Sequence, residues 1–248
     1  MLMKVSIITV CYNSSATIED TIKSVKSQTY KDIEYIIIDG GSTDNTNQIV
    51  NNYSECVDIH ISESDKGLYD AMNKGLDLAT GDLIGILNSD DILSGTTVIQ
   101  KIVDASENSD GVYADIGFYD QSLTKKVRHY SSKRFHKGRF SRGFMPAHPS
   151  FYLKRAVIEK VGYYSLDYKI AADFDFLVRC FYLPNVSFNY LNEEVVKMRL
   201  GGVSTSGISA NVLLNKEIMH SCRKNGLPCS WLSILSKYPE KLLGFIIK

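Results

Sequence analysis

The sequence has few features of a secreted, zinc-binding or membrane-spanning protein. Its five cysteines are odd in number and scattered, and none forms a CxxC pair. This spacing predicts neither a disulfide framework nor a zinc site, and it favours a reducing compartment. No uncharged apolar stretch approaches the length of a membrane span. Because Met1–Lys4 leads directly into a strand-like run, we expect no signal peptide and a cytoplasmic location.

Two common nucleotide-binding motifs are also missing. No GxGxxG follows the first predicted strand, so classical dinucleotide binding is disfavoured. No GxxxxGK[ST] occurs anywhere in the chain, which excludes a P-loop. Any nucleotide must therefore be held by other groups.

The formal net charge of zero conceals a strong asymmetry between the two halves of the chain. Residues 1–120 carry 7 Lys or Arg against 20 Asp or Glu, whereas residues 121–248 carry 21 against 8. Between Gln121 and Ile158 there is no acidic residue and there are ten basic ones. A solvated loop is one interpretation. The length of this one-signed block favours instead an anionic partner or an anionic membrane surface.

The hydrophobic pattern predicts an α/β fold. Helical patterns alternate with apolar runs, which predicts right-handed βαβ units and a mainly parallel sheet. The predicted strands are Val5–Val10, Glu34–Ile38, Val57–Ser62, Leu83–Leu87 and Gly111–Phe118. Beyond them we predict a long loop to Arg142, a strand over Ser150–Leu153, a helix over Ala171–Tyr182, a strand over Glu194–Leu200 and helices from about Ser209.

Acidic side chains follow three of the predicted strands. They are Asp39, Asp65 with Lys66, and the segment Asn88–Asp91. Strand ends of an open α/β sheet converge on one edge, where ligands bind. Adjacent carboxylates repel unless a cation lies between them, and Mg²⁺ or Mn²⁺ suits such oxygen ligands. Polar turns that cap helices are the alternative, and for Asp65 and Lys66 taken alone an ordinary turn is favoured.

Several segments together resemble the family 2 glycosyltransferases of the GT-A fold. They are VSIITVCYNS, QTYKDIEYIIIDGGSTDNT, SESDKGLYDAMNKGLDLATGDLIGILNSDD, AHPSFYLKRAVIEKVGYY, AADFDFLVR and MRLGGVST, in the expected order across residues 4–205. More narrowly, they resemble bacterial enzymes of O-antigen (lipopolysaccharide), capsule and exopolysaccharide assembly. The resemblance implies a Rossmann-like sheet with flanking helices over residues 1–205, divided into a nucleotide-sugar half (1–120) and an acceptor half (121–205). A C-terminal helical extension over 206–248 would follow.

The resemblance also implies roles on the donor side. Thr9, Tyr12 and Asn13 would line a nucleoside pocket, Asp39 would meet uracil, and Asp65 and Lys66 would lie near the nucleotide and donor sugar. Asn88 and Ser89 occupy the position of the metal-binding DXD motif, with Asp90 as the first metal ligand and Asp91 as the second. The chain departs from the family pattern at Asn88, where Asp is usual. It also lacks a His after Arg199.

The resemblance implies an inverting reaction with Asp173 as the general base. Without it, an acidic residue in the first turn of a helix would be explained by the helix dipole. Asp175 lies two residues further along the same predicted helix, so we expect it to point away from the reacting hydroxyl.

The acceptor side is less defined by the sequence. Arg134, Lys137 and Arg139 are candidate acceptor-binding residues, and His148 is either an acceptor contact or a structural residue. Family habit suggests UDP-galactose as donor and GlcNAc-diphosphate-undecaprenol as acceptor, with no nucleic-acid partner. The tail from Trp231 to Lys248 is predicted either to lie on the inner face of the membrane or to pack on the core. A sugar nucleotidyltransferase and a non-catalytic nucleotide-sugar or glycan-binding module are the alternatives.

Overall fold

The computed structural model describes residues 3–201 and 208–237, which contain one nine-stranded sheet flanked by helices. The strands are β1 Val5–Cys11, β2 Ile33–Asp39, β3 Ile59–Ser62, β4 Leu83–Ile86, β5 Asp91–Leu93, β6 Gly111–Tyr119, β7 Lys126–Tyr130, β8 Tyr152–Lys154 and β9 Phe188–Arg199. The helices are α1 Ile18–Lys26, α2 Thr46–Asn51, α3 Leu68–Leu78, α4 Val98–Ser106, α5 Arg155–Val161, α6 Ala172–Tyr182, α7 Ile208–Lys224 and α8 Trp231–Leu235. Two 3₁₀ turns span Lys137–Arg142 and His148–Ser150.

The sheet is mainly parallel, as the sequence predicts. Its strand order is β3-β2-β1-β4-β8-β6-β9-β5, with β7 paired to β6. The strands β3, β2, β1 and β4 are parallel neighbours, and β6 pairs in parallel with β9. The antiparallel members are β8, β5 and β7. This arrangement confirms the predicted α/β, GT-A type of fold.

Two apolar cores cover the faces of the sheet. Successive residues of β1 point to opposite faces, so that Ile8 belongs to one core and Ile7 to the other. The helix α3 lies very close to β1, because a Cβ atom at Gly75 would stand 2.4 Å from Cγ2 of Ile8. This contact brings the start of α3 to the same edge of the sheet as the end of β1.

The basic segment after residue 120 is more ordered than predicted. Instead of one long loop, it contains the edge strand β7, antiparallel to β6, and the 3₁₀ turn 137–142. The strand carries Lys126 and Arg128, and the Arg128 guanidinium lies 4.4 Å from the centre of the Phe118 ring. Charged residues are typical of edge strands, where they oppose further strand pairing. They also hide the alternating pattern by which a strand is usually recognised.

The two C-terminal helices pack against the preceding domain. Ile218 and Met219 of α7 and Ile234 of α8 share a core with Phe174 and Phe176 of α6. The proposed boundary at residue 205 and the tail beyond residue 237 lie outside the described residues. The division into domains and the interfacial tail therefore remain predictions. Among residues 3–201 and 208–237, no helix is long and apolar enough to cross a bilayer.

Candidate active site

The loops after the parallel strands are joined to one another at the predicted edge. The register sets Cys11 beside Asp39 and Asp39 beside Ser62. The side-chain oxygen of Asn13, whose φ is 48°, accepts a hydrogen bond of 2.9 Å from the Thr43 N–H. The strand ends therefore form one connected surface.

Asp39 forms the centre of this surface and is completely buried. Its carboxylate accepts hydrogen bonds from the N–H groups of Gly41 and Ser42 at 3.2 and 2.9 Å, and from the Ser42 hydroxyl. The Asn47 amide and the Ser62 hydroxyl donate to it at 3.0 and 2.6 Å. Burial alone would raise the pKa of Asp39, but these donors hold it below its ordinary value. Both oxygens are occupied, so a contact with uracil requires one of these bonds to be exchanged.

Asp65 and Lys66 lie at the start of α3. The carboxylate of Asp65 accepts a hydrogen bond of 2.7 Å from the Gly67 N–H and packs against Gly40. A Cβ atom at Gly40 would stand 2.4 Å from an Asp65 oxygen, so a larger residue there would displace the Asp65 carboxylate. The Lys66 side chain is exposed. These two predicted residues therefore adjoin the loop that contains Asp39.

The three residues predicted to line the nucleoside pocket differ in their surroundings. Tyr12 is 63% exposed, and Asn13 is exposed beside it. Thr9 is fully buried within β1, and its hydroxyl lies 3.1 Å from the Tyr35 hydroxyl. Because the Thr9 side chain has no exposed surface, it belongs to the core, and we remove it from the nucleoside site. Every residue of β1 is buried because cores cover both faces of the sheet, and Thr9 shares this environment.

The loop after β4 holds buried oxygen atoms without partners. Within the described part of the chain, Asn88 Oδ1 and Asp91 Oδ1 are buried and accept no hydrogen bond. Burial raises the pKa of Asp90, and burial together with the Asp90 charge raises that of Asp91 well above its ordinary value. Ser89 is buried, and its hydroxyl lies 2.9 Å from that of Ser14. Orphaned oxygens and unfavourable carboxylate charge are the pattern expected where a cation normally lies.

These residues fit a hard divalent cation that shares its ligand shell with a substrate. Asp90 is half-buried, whereas Asp91 has no exposed surface, so Asp90 is the better placed first ligand. In the described ranges, no three His, Cys, Asp or Glu side chains cluster to hold a metal alone. Mg²⁺-type sites often use one or two carboxylates and complete the shell with phosphate and water.

Arg199 is a functional candidate to which the sequence reasoning gave no role. Its guanidinium donates to the backbone oxygen of Asp90 at 2.8 Å, to the Asp20 carboxylate at 2.5 Å and to the Gln121 backbone oxygen at 3.0 Å. It therefore holds the predicted metal loop against α1 and the end of β6. The only sequence signal was a lone Arg at the end of the last predicted strand, where the family pattern directs attention to a following His.

Asp173 lies in the first turn of α6 and is half-buried. One carboxylate oxygen accepts a hydrogen bond of 2.7 Å from the Phe174 N–H. Burial raises the pKa of Asp173 to about 6, which suits a general base that works near neutral pH. The Tyr69 hydroxyl of α3 donates to the Ile170 backbone oxygen at 2.5 Å. The helix that follows Asp65 and Lys66 is thus tied to the turn before Asp173.

Asp175 is unlike Asp173, although only two residues separate them. It is 1% exposed and forms a 2.9 Å ion pair with Arg179. The Tyr168 and Ser221 hydroxyls donate to its other oxygen at 3.1 and 2.8 Å. Asp175 is therefore turned away from solvent and anchors α6 to α7, and its direction relative to a reacting hydroxyl remains a prediction.

His148 is a structural residue. It is 8% exposed, and its Nε2 lies 2.8 Å from the Tyr164 hydroxyl. Burial lowers its pKa to about 4, so the imidazole is neutral at pH 7. Of the two interpretations that the sequence allows, the structure favours the structural one, and we remove His148 from the acceptor site.

A basic groove of about 380 Å³ lies between β7 and the 3₁₀ turn 137–142. It is lined by Arg128, His129, Tyr130, Ser131, Ser132, Lys133, Arg134, Phe135, Arg139, Phe144 and Met145. The predicted residues Arg134 and Arg139 thus share one groove, and Arg139 stacks 4.0 Å from the centre of the Phe144 ring. Lys137 is not part of the lining and lies 5.6 Å from the centre of the Tyr182 ring. No acidic side chain lines the groove.

Solved structures of two glycosyltransferases have a similar fold. The crystal structure of Staphylococcus aureus TarS 1-349 with UDP-GlcNAc has a TM-score of 0.71 at 18% identity, and covers 88% of this chain. This chain spans 66% of that fragment. The Pyrobaculum calidifontis mannosyltransferase PcManGT, in complex with GDP-Man and Mn²⁺, has a TM-score of 0.65 at 17% identity, with 90% and 64% of the two chains covered. At these identities the likeness establishes the fold.

Sequence comparison establishes the family. A PGL/p-HBAD biosynthesis glycosyltransferase of Mycobacterium bovis is 32% identical over 224 residues, which cover 86% of this chain and 82% of the relative. An uncharacterized glycosyltransferase of Mycobacterium tuberculosis is 36% identical over 178 residues, or 71% and 68% of the two chains. The family model for glycosyl transferase family 2 matches residues 6–162. The chain is therefore a glycosyltransferase that belongs to glycosyl transferase family 2.

Proposed function

We propose that this protein is an inverting, metal-dependent glycosyltransferase that moves a sugar from a UDP-sugar to a lipid-diphosphate-linked acceptor in surface polysaccharide assembly. The observation that carries the proposal is the loop after β4, where two buried oxygens, on Asn88 and Asp91, lack partners beside the Asp90 carboxylate. This loop adjoins the other strand-end loops, as a diphosphate site requires.

UDP-galactose is our first candidate donor. The TarS complexes with UDP-GlcNAc and UDP support a uridine nucleotide, whereas the GDP-Man complex of PcManGT is the reason to include GDP-sugars in a donor screen. Tyr12 and Asn13 offer an exposed surface for the nucleoside next to Asp39. Lys66 is exposed at the start of α3 and can contact the diphosphate as a point charge.

Mn²⁺ or Mg²⁺ is the proposed cofactor. Asp90 would hold it, with Asp91 and the Asn88 side-chain oxygen as the nearby donors. When bound, the cation supplies positive charge that stabilises the negative charge on the departing diphosphate. Arg199 keeps the Asp90 backbone in place through its 2.8 Å hydrogen bond.

Asp173 is the proposed general base. It takes the proton of the acceptor hydroxyl while the hydroxyl oxygen forms a bond to the anomeric carbon. The bond between that carbon and the UDP oxygen breaks, and UDP leaves with the electron pair. One displacement inverts the anomeric centre, so an α-linked UDP-sugar yields a β-glycoside.

The basic groove is the proposed site for the anionic part of the acceptor. Lys133, Arg134 and Arg139 supply positive charge, and Phe135 and Phe144 supply aromatic surface. A lipid diphosphate has both negative charge and an apolar chain, which this mixture suits. The same surface would favour a peripheral position on the inner face of the plasma membrane.

The deciding experiment is a donor screen against synthetic GlcNAc- and GalNAc-diphosphate-lipid acceptors, with and without Mn²⁺. We expect acceptor-dependent UDP release, a β-linked product by NMR, and loss of turnover in EDTA that added Mn²⁺ restores. Full turnover in excess EDTA would contradict the metal proposal. Pyrophosphate release would indicate a nucleotidyltransferase, and donor binding without any product would indicate a binding module.

A further inference from the structure

The turn before α6 is held by a side chain from the C-terminal region. The Glu217 carboxylate of α7 accepts hydrogen bonds from the N–H groups of Lys169, Ile170 and Ala171, each at 2.9 Å. N–H groups at the start of a helix lack partners within the helix and need others. Here one carboxylate from a distant part of the chain accepts from the three N–H groups that lead into α6.

This cap lies directly before the proposed base. Ala171 precedes α6, and Asp173 is its second residue. The groups that face Asp173 are the Tyr69 hydroxyl from α3, Tyr164 from the segment before α6, and Glu217 from α7. Of these three, Glu217 is the carboxylate. It also stands at the positive end of the α6 dipole, where it offsets the stabilisation that this end gives to an ionised Asp173.

We propose that Glu217 is a positioning residue that fixes the turn 169–171, and with it the direction of Asp173. The inference rests on the proposed role of Asp173 as the base. It assigns a part of the active-site machinery to α7, beyond residues 6–162 that the family model matches. The turn is thus held from two sides, by Tyr69 of α3 and by Glu217 of α7.

The pKa direction agrees with this geometry. Burial raises the pKa of Asp173 to about 6, and the charge of Glu217 acts in the same direction. A base must be ionised to work, so activity should rise with pH through this pKa. Removing the charge of Glu217 should lower the pKa of Asp173 and move this rise to lower pH.

The test compares Glu217→Gln and Glu217→Ala with the wild type in kcat, acceptor KM, UDP affinity and pH profile. Gln keeps an acceptor oxygen but loses the charge, so we expect the midpoint of the acidic limb to fall by about 0.5 pH unit. Ala leaves three N–H groups without the carboxylate, so kcat should fall about 10- to 100-fold while UDP affinity in Mn²⁺ is kept. Asp167→Asn is the matched control, since Asp167 is an exposed carboxylate in the same turn region.

An acidic limb that Glu217→Gln leaves unchanged would overturn the proposal, as would a kcat for folded Glu217→Ala within twofold of the wild type. Should the Ala variant fail to fold, the pH profile of the Gln variant decides. Failure of the underlying function is separable, because an Asp173→Asn variant that retains turnover refutes the base itself. Loss of turnover in Asp173→Asn with no effect at Glu217 refutes only the positioning role.

Discussion

The loops after β2 and β4 lie at the same edge of the sheet, but they differ in how many hydrogen-bond donors their buried oxygens have. After β2, Asp39 is completely buried and six hydrogen-bond donors, the Cys11 thiol among them, surround its carboxylate. After β4, Asn88 and Asp91 each keep a buried oxygen with no partner in the described part of the chain. The carboxylate of the first loop has its donors as folded, whereas the second loop keeps buried oxygens without donors even though Arg199 lies beside it. A buried carboxylate whose oxygens all have hydrogen-bond donors indicates a structural role. A buried carboxylate oxygen without a donor indicates a missing ligand.

The same contrast recurs within α6. Asp175 has an ion pair and several hydroxyl donors, whereas Asp173 has one backbone N–H and a raised pKa. If the comparison is correct, substitutions at the carboxylates with many donors, Asp39 and Asp175, should reduce stability. Substitutions at the carboxylates with few donors, Asp90 and Asp173, should reduce activity.

Asp173→Asn should have the largest effect. The variant keeps the shape of the side chain and loses the proton acceptor, so kcat should fall about 10²–10⁴-fold. UDP affinity in Mn²⁺ and the melting temperature should stay near those of the wild type, because the amide has the same shape and keeps an oxygen that can accept from the Phe174 N–H. Steady-state kinetics, calorimetry and thermal unfolding measure the three quantities. A normal kcat would contradict the assignment.

Asp90→Ala should remove metal-dependent donor binding. Without the first ligand, the diphosphate faces the remaining carboxylates, so turnover should fall about 10²–10³-fold. Mn²⁺ with UDP should raise the melting temperature of the wild type, because a ligand that binds only the folded state stabilises it. That shift should vanish in the variant. Unchanged UDP affinity in Mn²⁺ would move the metal site elsewhere.

Asp39→Asn is the corresponding substitution in the loop after β2. The amide cannot accept from all the donors that surround Asp39, so the melting temperature should fall with or without Mn²⁺. Equal stability of this variant and the wild type would contradict the structural role of Asp39 and, with it, the contrast between the two loops.

Asp175→Asn should reduce stability rather than catalysis. It breaks the buried pair with Arg179 and leaves hydroxyl donors poorly matched, at a cost of about 2–3 kcal/mol in the free energy of unfolding. Urea unfolding measures this cost, and kcat of the folded variant should remain within a few-fold of the wild type. If Asp175→Asn abolished turnover while Asp173→Asn did not, the base would be Asp175.

The double variant Lys133→Gln, Arg134→Gln should have the smallest effect. Each exposed charge contributes at most about 1 kcal/mol, so acceptor KM should rise about three- to tenfold at low salt. UDP affinity should not change, and the difference should shrink at high salt because exposed charges are screened. Lys160→Gln, an exposed lysine on α5 outside the groove, is the control. An unchanged acceptor KM at low salt would leave the groove without a role.

The sequence by itself determined the βαβ order and the edge of the sheet at which the candidate site lies. Strand-length apolar runs that end in Asp39 and in the Asn88–Asp91 segment are local features, and parallel pairing carries their ends to one edge. The charge asymmetry between the halves also follows from composition alone. The edge strand β7 was not predicted because its charged residues hide the alternation of apolar and polar side chains.

Only the tertiary structure decided the state of each polar side chain. Thr9 and His148 belong to the core because of neighbours that are distant in sequence, Tyr35 in one case and Tyr164 in the other. The contacts of Arg199 with Asp20 and of Glu217 with the turn before α6 join segments 179 and about 47 residues apart. The residue type determines which groups a side chain can bind. Its burial and the number of its hydrogen-bond partners depend on the groups that folding places beside it.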